Sequence, residues 1–253
     1  MNNHEIEYEV FGSEMQYITI ILDPQEIVVA EAGHMMMMDD EVQMQTVFGD
    51  GSQEKIGFMG KLAGAGKRVL TGESMFMTTF TNVSNERRTV SFAAPYPGKI
   101  IPFDLQKFDG KIICQKDAFL CAAKGVSVGI AIQKKLGAGL FGGEGFIMQK
   151  LEGDGLTFVH AGGTIVERQL KEGEVLRIDT GCLVAMTQDV KYDVQLAGGV
   201  KTALFGEGLF VATLEGPGTV WLQSLPLGRL AGRLATGGGK ESSTAGGIFD
   251  LLT

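Results

Sequence analysis

Short apolar runs, each cut off by a turn residue, restrict this chain more than any other feature. Ile6-Glu7-Tyr8-Glu9-Val10 alternates apolar and acidic side chains, the period of a strand with one wet face. Runs rich in β-branched and aromatic residues read as further strands at 17–22, 26–30, 74–81, 89–93, 111–114 and 118–122. Later ones lie at 146–151, 156–161, 163–170, 174–179, 182–186, 190–196, 209–214 and 219–225. Asp23-Pro24, Asn82 to Asn85 and Pro95 to Gly98 punctuate them with residues that favour turns. Glycine supplies 37 of 253 residues, about twice ordinary usage, which suits a chain that reverses direction often. Many short strands argue against βαβ units and for an all-β roll, sandwich or barrel.

The runs also recur. Leu-x-Gly-x-Gly occurs at Leu62-Ala-Gly64-Ala-Gly66, Leu151-Glu-Gly153-Asp-Gly155 and Leu214-Glu-Gly216-Pro-Gly218, each followed by an apolar run. Leu22, Glu26, Ile27 and Gly33 match Leu170, Glu174, Val175 and Gly181 at one constant offset of 148, and in the middle copy Ala118 takes the place of Gly33. The expected architecture is one all-β domain over 1–226, built of three repeated β units at about 5–100, 101–163 and 164–226. Gly64, Gly66, Gly153, Gly155, Gly216 and Gly218 are expected in equivalent structural turns. A lone unit of roughly 50 residues would bury too little surface to stand by itself.

Charge and motifs narrow the function classes. Lys and Arg number 22 against 30 Asp and Glu, a net charge of −8, which opposes broad binding to nucleic-acid phosphates or an anionic lipid face. Cys114, Cys121 and Cys182 are too few and too scattered for a disulfide framework. With no apolar leader and no apolar run of about 20 residues, a cytoplasmic protein is expected. Gly137-Ala-Gly139-Leu-Phe-Gly142 fits the dinucleotide fingerprint in spacing, but the glycines after it read as a turn into a strand rather than a helix. Gly64-Ala-Gly66-Lys67 lacks the first glycine and the hydroxyl of a phosphate loop. His4, His34 and His160 stand in separate segments without metal-ligand spacing. Met35–Met38 is read as core packing, the ordinary use of methionine, and Cys182 as a structural thiol. No cofactor, no metal and no catalytic residue is expected.

Two segments qualify as contact surfaces. Lys134-Lys135 leads into an apolar, Gly-rich stretch holding Leu140 and Phe141. It reads either as a loop that meets a membrane or partner, or as a crossover that buries Leu140 and Phe141. At the other end, Ser224-Leu-Pro226 is suited to cap a short helix over 227–235, followed by a Gly/Ser-rich flexible tail, 236–253. That tail ends in the apolar residues Ile248, Phe249, Leu251 and Leu252, which suit docking on a neighbouring subunit or a protein partner.

Phe119-Leu-Cys-Ala, Gly137-Ala-Gly-Leu-Phe-Gly-Gly-Glu-Gly, Leu151-Glu-Gly-Asp-Gly, His160-Ala-Gly-Gly and Asp179-Thr-Gly-Cys-Leu-Val-Ala form a recognisable series. With the more specific Leu214-Glu-Gly-Pro-Gly-Thr-Val-Trp-Leu-Gln-Ser, they resemble bacterial members of the altered-inheritance-of-mitochondria family across roughly 8–227. The resemblance implies a fold like that of the tryptophan RNA-binding attenuation protein, a short double-stranded β-helix. It implies a link to mitochondrial biogenesis in eukaryotic relatives and no known catalytic residues. Fold does not carry function, so binding of tryptophan or nucleic acid is not transferred. The expected role is a non-catalytic scaffold or binding protein, homo-oligomeric. The alternative is a small-molecule-binding protein or enzyme using a β-roll pocket.

Overall fold

Antiparallel pairing organises the chain into three successive sets of strands. β1 (Glu7–Phe11) precedes the first set, which holds β2 (Tyr17–Leu22), β3 (Ile27–Glu31), β4 (Met35–Met38), β5 (Val42–Phe48), β6 (Phe76–Asn82) and β7 (Arg88–Ala93). The second holds β8 (Gly98–Asp104), β9 (Lys111–Gln115), β10 (Phe119–Ala123), β11 (Ser127–Lys134), β12 (Phe146–Glu152) and β13 (Leu156–Gly162). The third holds β14 (Ile165–Leu170), β15 (Val175–Asp179), β16 (Leu183–Thr187), β17 (Lys191–Leu196), β18 (Phe210–Glu215) and β19 (Gly218–Gln223). The structure, a computed structural model, describes residues 4–31, 33–48, 76–134, 146–196 and 210–231.

The pairing scheme is the same in each set. β7 lies between β2 and β4, β13 between β8 and β10, and β19 between β14 and β16. β6 likewise lies between β3 and β5, β12 between β9 and β11, and β18 between β15 and β17. Each set therefore makes two three-stranded ladders, and β1 adds to the outer edge of β2. Neighbouring sets are then sewn together, for β10 pairs with β3 and β16 pairs with β9. The result is two six-stranded sheets, β5-β6-β3-β10-β13-β8 and β11-β12-β9-β16-β19-β14, flanked by β1-β2-β7-β4 and β15-β18-β17.

Three apolar clusters fill the spaces between these four sheets. The first gathers Ile18, Ile20, Phe80, Phe92 and Phe158, the second Phe103, Phe119, Leu151 and Trp221, and the third Phe146, Met148, Leu183 and Leu214. The seam strands feed two clusters at once. Val28 and Ala30 enter the first cluster while Val29 enters the second, and Ile112 and Cys114 enter the second while Ile113 enters the third. A strand buried on both faces reads as a continuous apolar run, not an alternating one, which accounts for Phe119-Leu-Cys-Ala-Ala and Leu183-Val-Ala-Met. In β10 a register shift between Phe119 and Cys121 turns Leu120 and Cys121 into the same cluster. A shift between Leu183 and Ala185 does the same for Val184 and Ala185. Such bulges re-aim side chains without ending the strand.

The all-β class and the short C-terminal helix agree with the sequence reading, and most of the read strands are displaced by only a residue or two. Several finer expectations change. The second set opens at Gly98 rather than at 101. Gly153 and Gly155 lie in the turn between β12 and β13, whereas Gly216, joined to Pro217 by a cis peptide, begins the turn into β19, whose first residue is Gly218. Gly64 and Gly66 fall outside the described residues. In the first set the turn from β6 into β7 is formed by residues 83–87, where Asn82 Nδ2 donates to the Leu22 and Glu86 carbonyls at 2.9 and 2.8 Å, and Asn82 Oδ1 accepts from Ser84 N–H at 2.9 Å. Aligned on the shared register shift, Met35, Phe119 and Leu183 correspond; Gly33 then matches Asp117, not Ala118.

Met35–Met38 is not core. These residues are 37, 45, 50 and 38% exposed on β4, the open edge of its sheet. Ser224 does not cap the final helix either. Its Oγ accepts from Thr164 N–H at 2.8 Å, and the Pro226 carbonyl receives the first helical amides, Arg229 and Leu230, in the helix over 227–231.

Trp221 anchors the middle cluster. Its ring meets Phe103 edge-on at 4.8 Å and Phe108 at 5.6 Å, and its Nε1 donates to Glu167 Oε2 at 3.0 Å. Phe103→Ala should lower stability by about 3–5 kcal/mol. Urea unfolding followed by the fluorescence of this single tryptophan measures the loss.

Candidate functional site at the seam of the first two strand sets

The strongest concentration of perturbed titratable groups lies around the end of β3, the 3-10 turn Lys116–Ala118 and the neighbouring β13. The short link between β3 and β4 sets His34 beside this seam, and β13, buried over Thr157–Gly162, encloses His160. Glu31, the last residue of β3, has its carboxyl pushed up to about 7, first by burial and then by the charge of Asp117. Lys116 and a hydrogen bond with Gln149 act against that shift. His34 has a buried Nδ1 with no hydrogen-bond partner. Burial holds its ring below the usual imidazole range, partly offset by the Leu120 backbone.

His160 is the most enclosed of these groups, at 1% exposure. Neither ring nitrogen meets a hydrogen-bond partner. The ring stands edge-on to Tyr96, with centroids 4.4 Å apart and planes at 82°. Burial pulls its pKa down to about 4, the backbone of Tyr96 opposing and His34 adding to the fall. The Tyr96 hydroxyl is pushed up to about 12 by burial and by Asp117. Gly98 permits this arrangement, since a Cβ there would drive into the Ala161 carbonyl and lie 2.7 Å from His160 Nε2. Burial, then Glu31, also raises the thiol of Cys114 far above its ordinary range.

The chemistry available is that of neutral groups. At pH 7 both imidazoles are uncharged, and Glu31 is poised to gain or lose a proton close to neutrality. Among the described residues no three His, Cys, Asp or Glu side chains are arranged to hold a metal ion. His4 stands apart from the pair, its Nδ1 accepting from Ile27 N–H at 2.9 Å. Cys121 is fully buried and Cys182 half-buried, and burial raises both thiols, so neither is a ready thiolate. Two open clefts lie elsewhere: one of about 620 Å³ beside His4, Asp104 and Asp154, and one of about 190 Å³ beside Lys107, Asp109 and Asp189.

Lys134 ends β11 opposite Phe146. Lys135, Leu140, Phe141, Ile248, Phe249, Leu251 and Leu252 lie outside the described residues, as do the 137–142 glycine motif and the 236–253 tail. The sequence singled out His34 and His160 but not their proximity, and it gave no sign of Glu31 or Tyr96. No helix among the described residues is long and apolar enough to cross a membrane.

A family model described as mitochondrial biogenesis AIM24 matches residues 8–225. The chain belongs to that family. A Streptococcus pyogenes serotype M6 protein, named only as uncharacterized, is 31% identical over 212 residues, which span 82% of this chain and 80% of that protein. A crystal structure of a Streptococcus pyogenes protein superposes with a TM-score of 0.71 at 25% identity, covering 92% of this chain and 99% of that one.

The seam makes stability depend on pH in two directions. Glu31 titrates higher in the folded chain, so its contribution is full below its ordinary pKa of 4.5 and is lost as pH rises through about 7. His160 titrates lower, so its contribution is present above 6.5 and is lost as pH falls through about 4. Glu31→Gln should therefore melt higher than the parent at pH 8, with the gap closing toward pH 4.5. At this chain length each kcal/mol moves the midpoint by about 2–4 °C, and calorimetry across that range reads the difference.

Proposed function

We propose that this member of the family is a non-catalytic scaffold that acts by holding other macromolecules. The observation that carries the reading is the filling of its three interiors. Aromatic and aliphatic side chains, among them Phe80, Phe92, Phe103, Phe119, Phe146 and Phe158, occupy the spaces between the sheets where a ligand-binding β-roll keeps a cavity. The common pairing scheme supports a description as three repeats of one short double-stranded β-helix unit, of the type seen in the tryptophan RNA-binding attenuation protein. Three free thiols suit a reducing cytoplasm. The contacts assigned to partners are the segment with Lys134, Lys135, Leu140 and Phe141 and the terminal Ile248, Phe249, Leu251 and Leu252.

A chain ending at Ala235 should melt at the same temperature as the full chain but lose a co-purifying protein; an unchanged set of partners removes the tail from the scaffold. A second reading, a small-molecule site at the seam, is favoured by the two ring nitrogens of His160 that lack partners. The scaffold reading expects no stabilising ligand in a thermal-shift screen of metabolites. A stabilisation abolished by His160→Phe would overturn it in favour of the seam.

A further inference from the structure

We propose that copies of this chain join head to tail through their sheets, β4 of one copy pairing antiparallel with β15 of the next. The chain carries the template for this contact twice. The third strand of the second set pairs with the second strand of the first, Cys121 opposite Ala30, Ala122 opposite Val29 and Ala123 opposite Val28. The third strand of the third set pairs with the second strand of the second in the same register, Ala185 opposite Cys114, Met186 opposite Ile113 and Thr187 opposite Ile112. Two strands of these same kinds are left over. β4 is the third strand of the first set and ends its sheet, and β15 is the second strand of the third set and ends another. The scheme sets Met37 opposite Ile178, Met38 opposite Arg177 and Asp39 opposite Leu176.

Exposure marks both strands as unpaired versions of buried ones. All five residues of β10 are buried, and so are four of the five of β16, whereas every residue of β4 is exposed. Val28–Ala30 and Ile112–Cys114 are buried, but the equivalent Leu176 and Ile178 are only partly covered and Arg177 is exposed. Met36 and Met37 hold the places of Leu120–Cys121 and Val184–Ala185, which the register shift turns into the cluster of the preceding set. They are also the two most exposed residues of β4, at 45 and 50%. In the assembly they complete the neighbour's third cluster beside Leu176 and Ile178, which pack at its margin. A strand edge with four consecutive apolar side chains is a template for pairing, and flexible methionines fill irregular gaps.

Polarity decides the register. Asp39 N–H donates inward to Thr89 O at 3.0 Å, so the alternate amide, that of Met38, faces the open edge. Arg177 stands where the internal seams have Val29 and Ile113. Its apolar stem covers the methionines while its head reaches the rim, which weakens this contact relative to the internal seams. A head-to-tail contact either closes into a ring or continues as a fibre, according to the rotation per copy; both use this one ladder.

The inference goes beyond the scaffold reading and does not depend on it, because self-association is measured with the purified chain alone. Multi-angle light scattering on the full chain at about 50 µM, a concentration at which an association of micromolar strength is well populated, should give a multiple of 27.0 kDa. Met37→Lys, on a side chain already half exposed, should keep the parent's circular dichroism and fall to the mass of one chain. Arg177→Val restores the residue type of the internal seams and should lower the dissociation concentration about tenfold, the size of effect expected for some 1.4 kcal/mol. A parent of single-chain mass, a Met37→Lys variant that keeps the parent's mass, or an Arg177→Val variant that associates no more tightly would each overturn the pairing.

Discussion

Everything in this structure hangs on two seams, β3 against β10 and β9 against β16. Each is a backbone ladder between strand sets, and each lies between two apolar clusters. The seam residues are small or aliphatic because both faces are covered: Val28, Val29 and Ala30 on one side, Cys121, Ala122 and Ala123 on the other. An amide buried there has no water to fall back on, so the ladder is costly to break. No set is closed on itself, since each interior is walled partly by strands shared with its neighbour. Unfolding one set would expose the face of the next, and cooperativity follows from the sharing.

Strand positions were legible in the sequence wherever one face is wet or a run is wholly apolar. Tyr17–Leu22 alternates around a buried Ile18, Ile20 and Leu22, and Phe119–Ala123 is unbroken because it is buried on both faces. β8 escaped notice because Pro102 interrupts Gly98–Asp104. The structure places that strand at the end of its sheet, where a missing amide is tolerated. β5 was also missed, its glutamines and threonine diluting the apolar signal of Val42–Phe48. The glycine pattern was only partly informative. Gly153 and Gly216 both mark the last turn of a set, but in the first set Asn82 and Ser84 build that turn from side-chain hydrogen bonds, a substitution that no glycine count detects. Met35–Met38 misled for another reason. Composition cannot separate an apolar strand inside a sheet from one at its edge.

The seam cluster was still less legible, because its members come from distant parts of the chain and their chemistry arises from burial. Neither Glu31 nor Tyr96 sits in a motif. The Glu31 carboxyl is moved by an enclosure that β3 shares with the 3-10 turn Lys116–Ala118. His160 shows the cost most plainly, being an imidazole kept neutral in a place that leaves both nitrogens unsatisfied. A buried polar group without partners is tolerated at the expense of stability, here directly beside the strand junction on which the architecture relies.

The long reach of the first seam also bears on how the chain is made. Ala30 leaves the ribosome about 90 residues before its partner Cys121. At ordinary elongation rates of about 5–20 residues per second, the edge of β3 stays bare for roughly 5–20 s, and β9 then waits nearly as long for β16. During synthesis, therefore, each set offers in turn the same kind of open edge that β15 keeps in the finished chain. Chains growing side by side on one message would present matching edges to each other before their own later strands exist, so translation speed across 31–120 bears directly on the yield of correctly threaded protein.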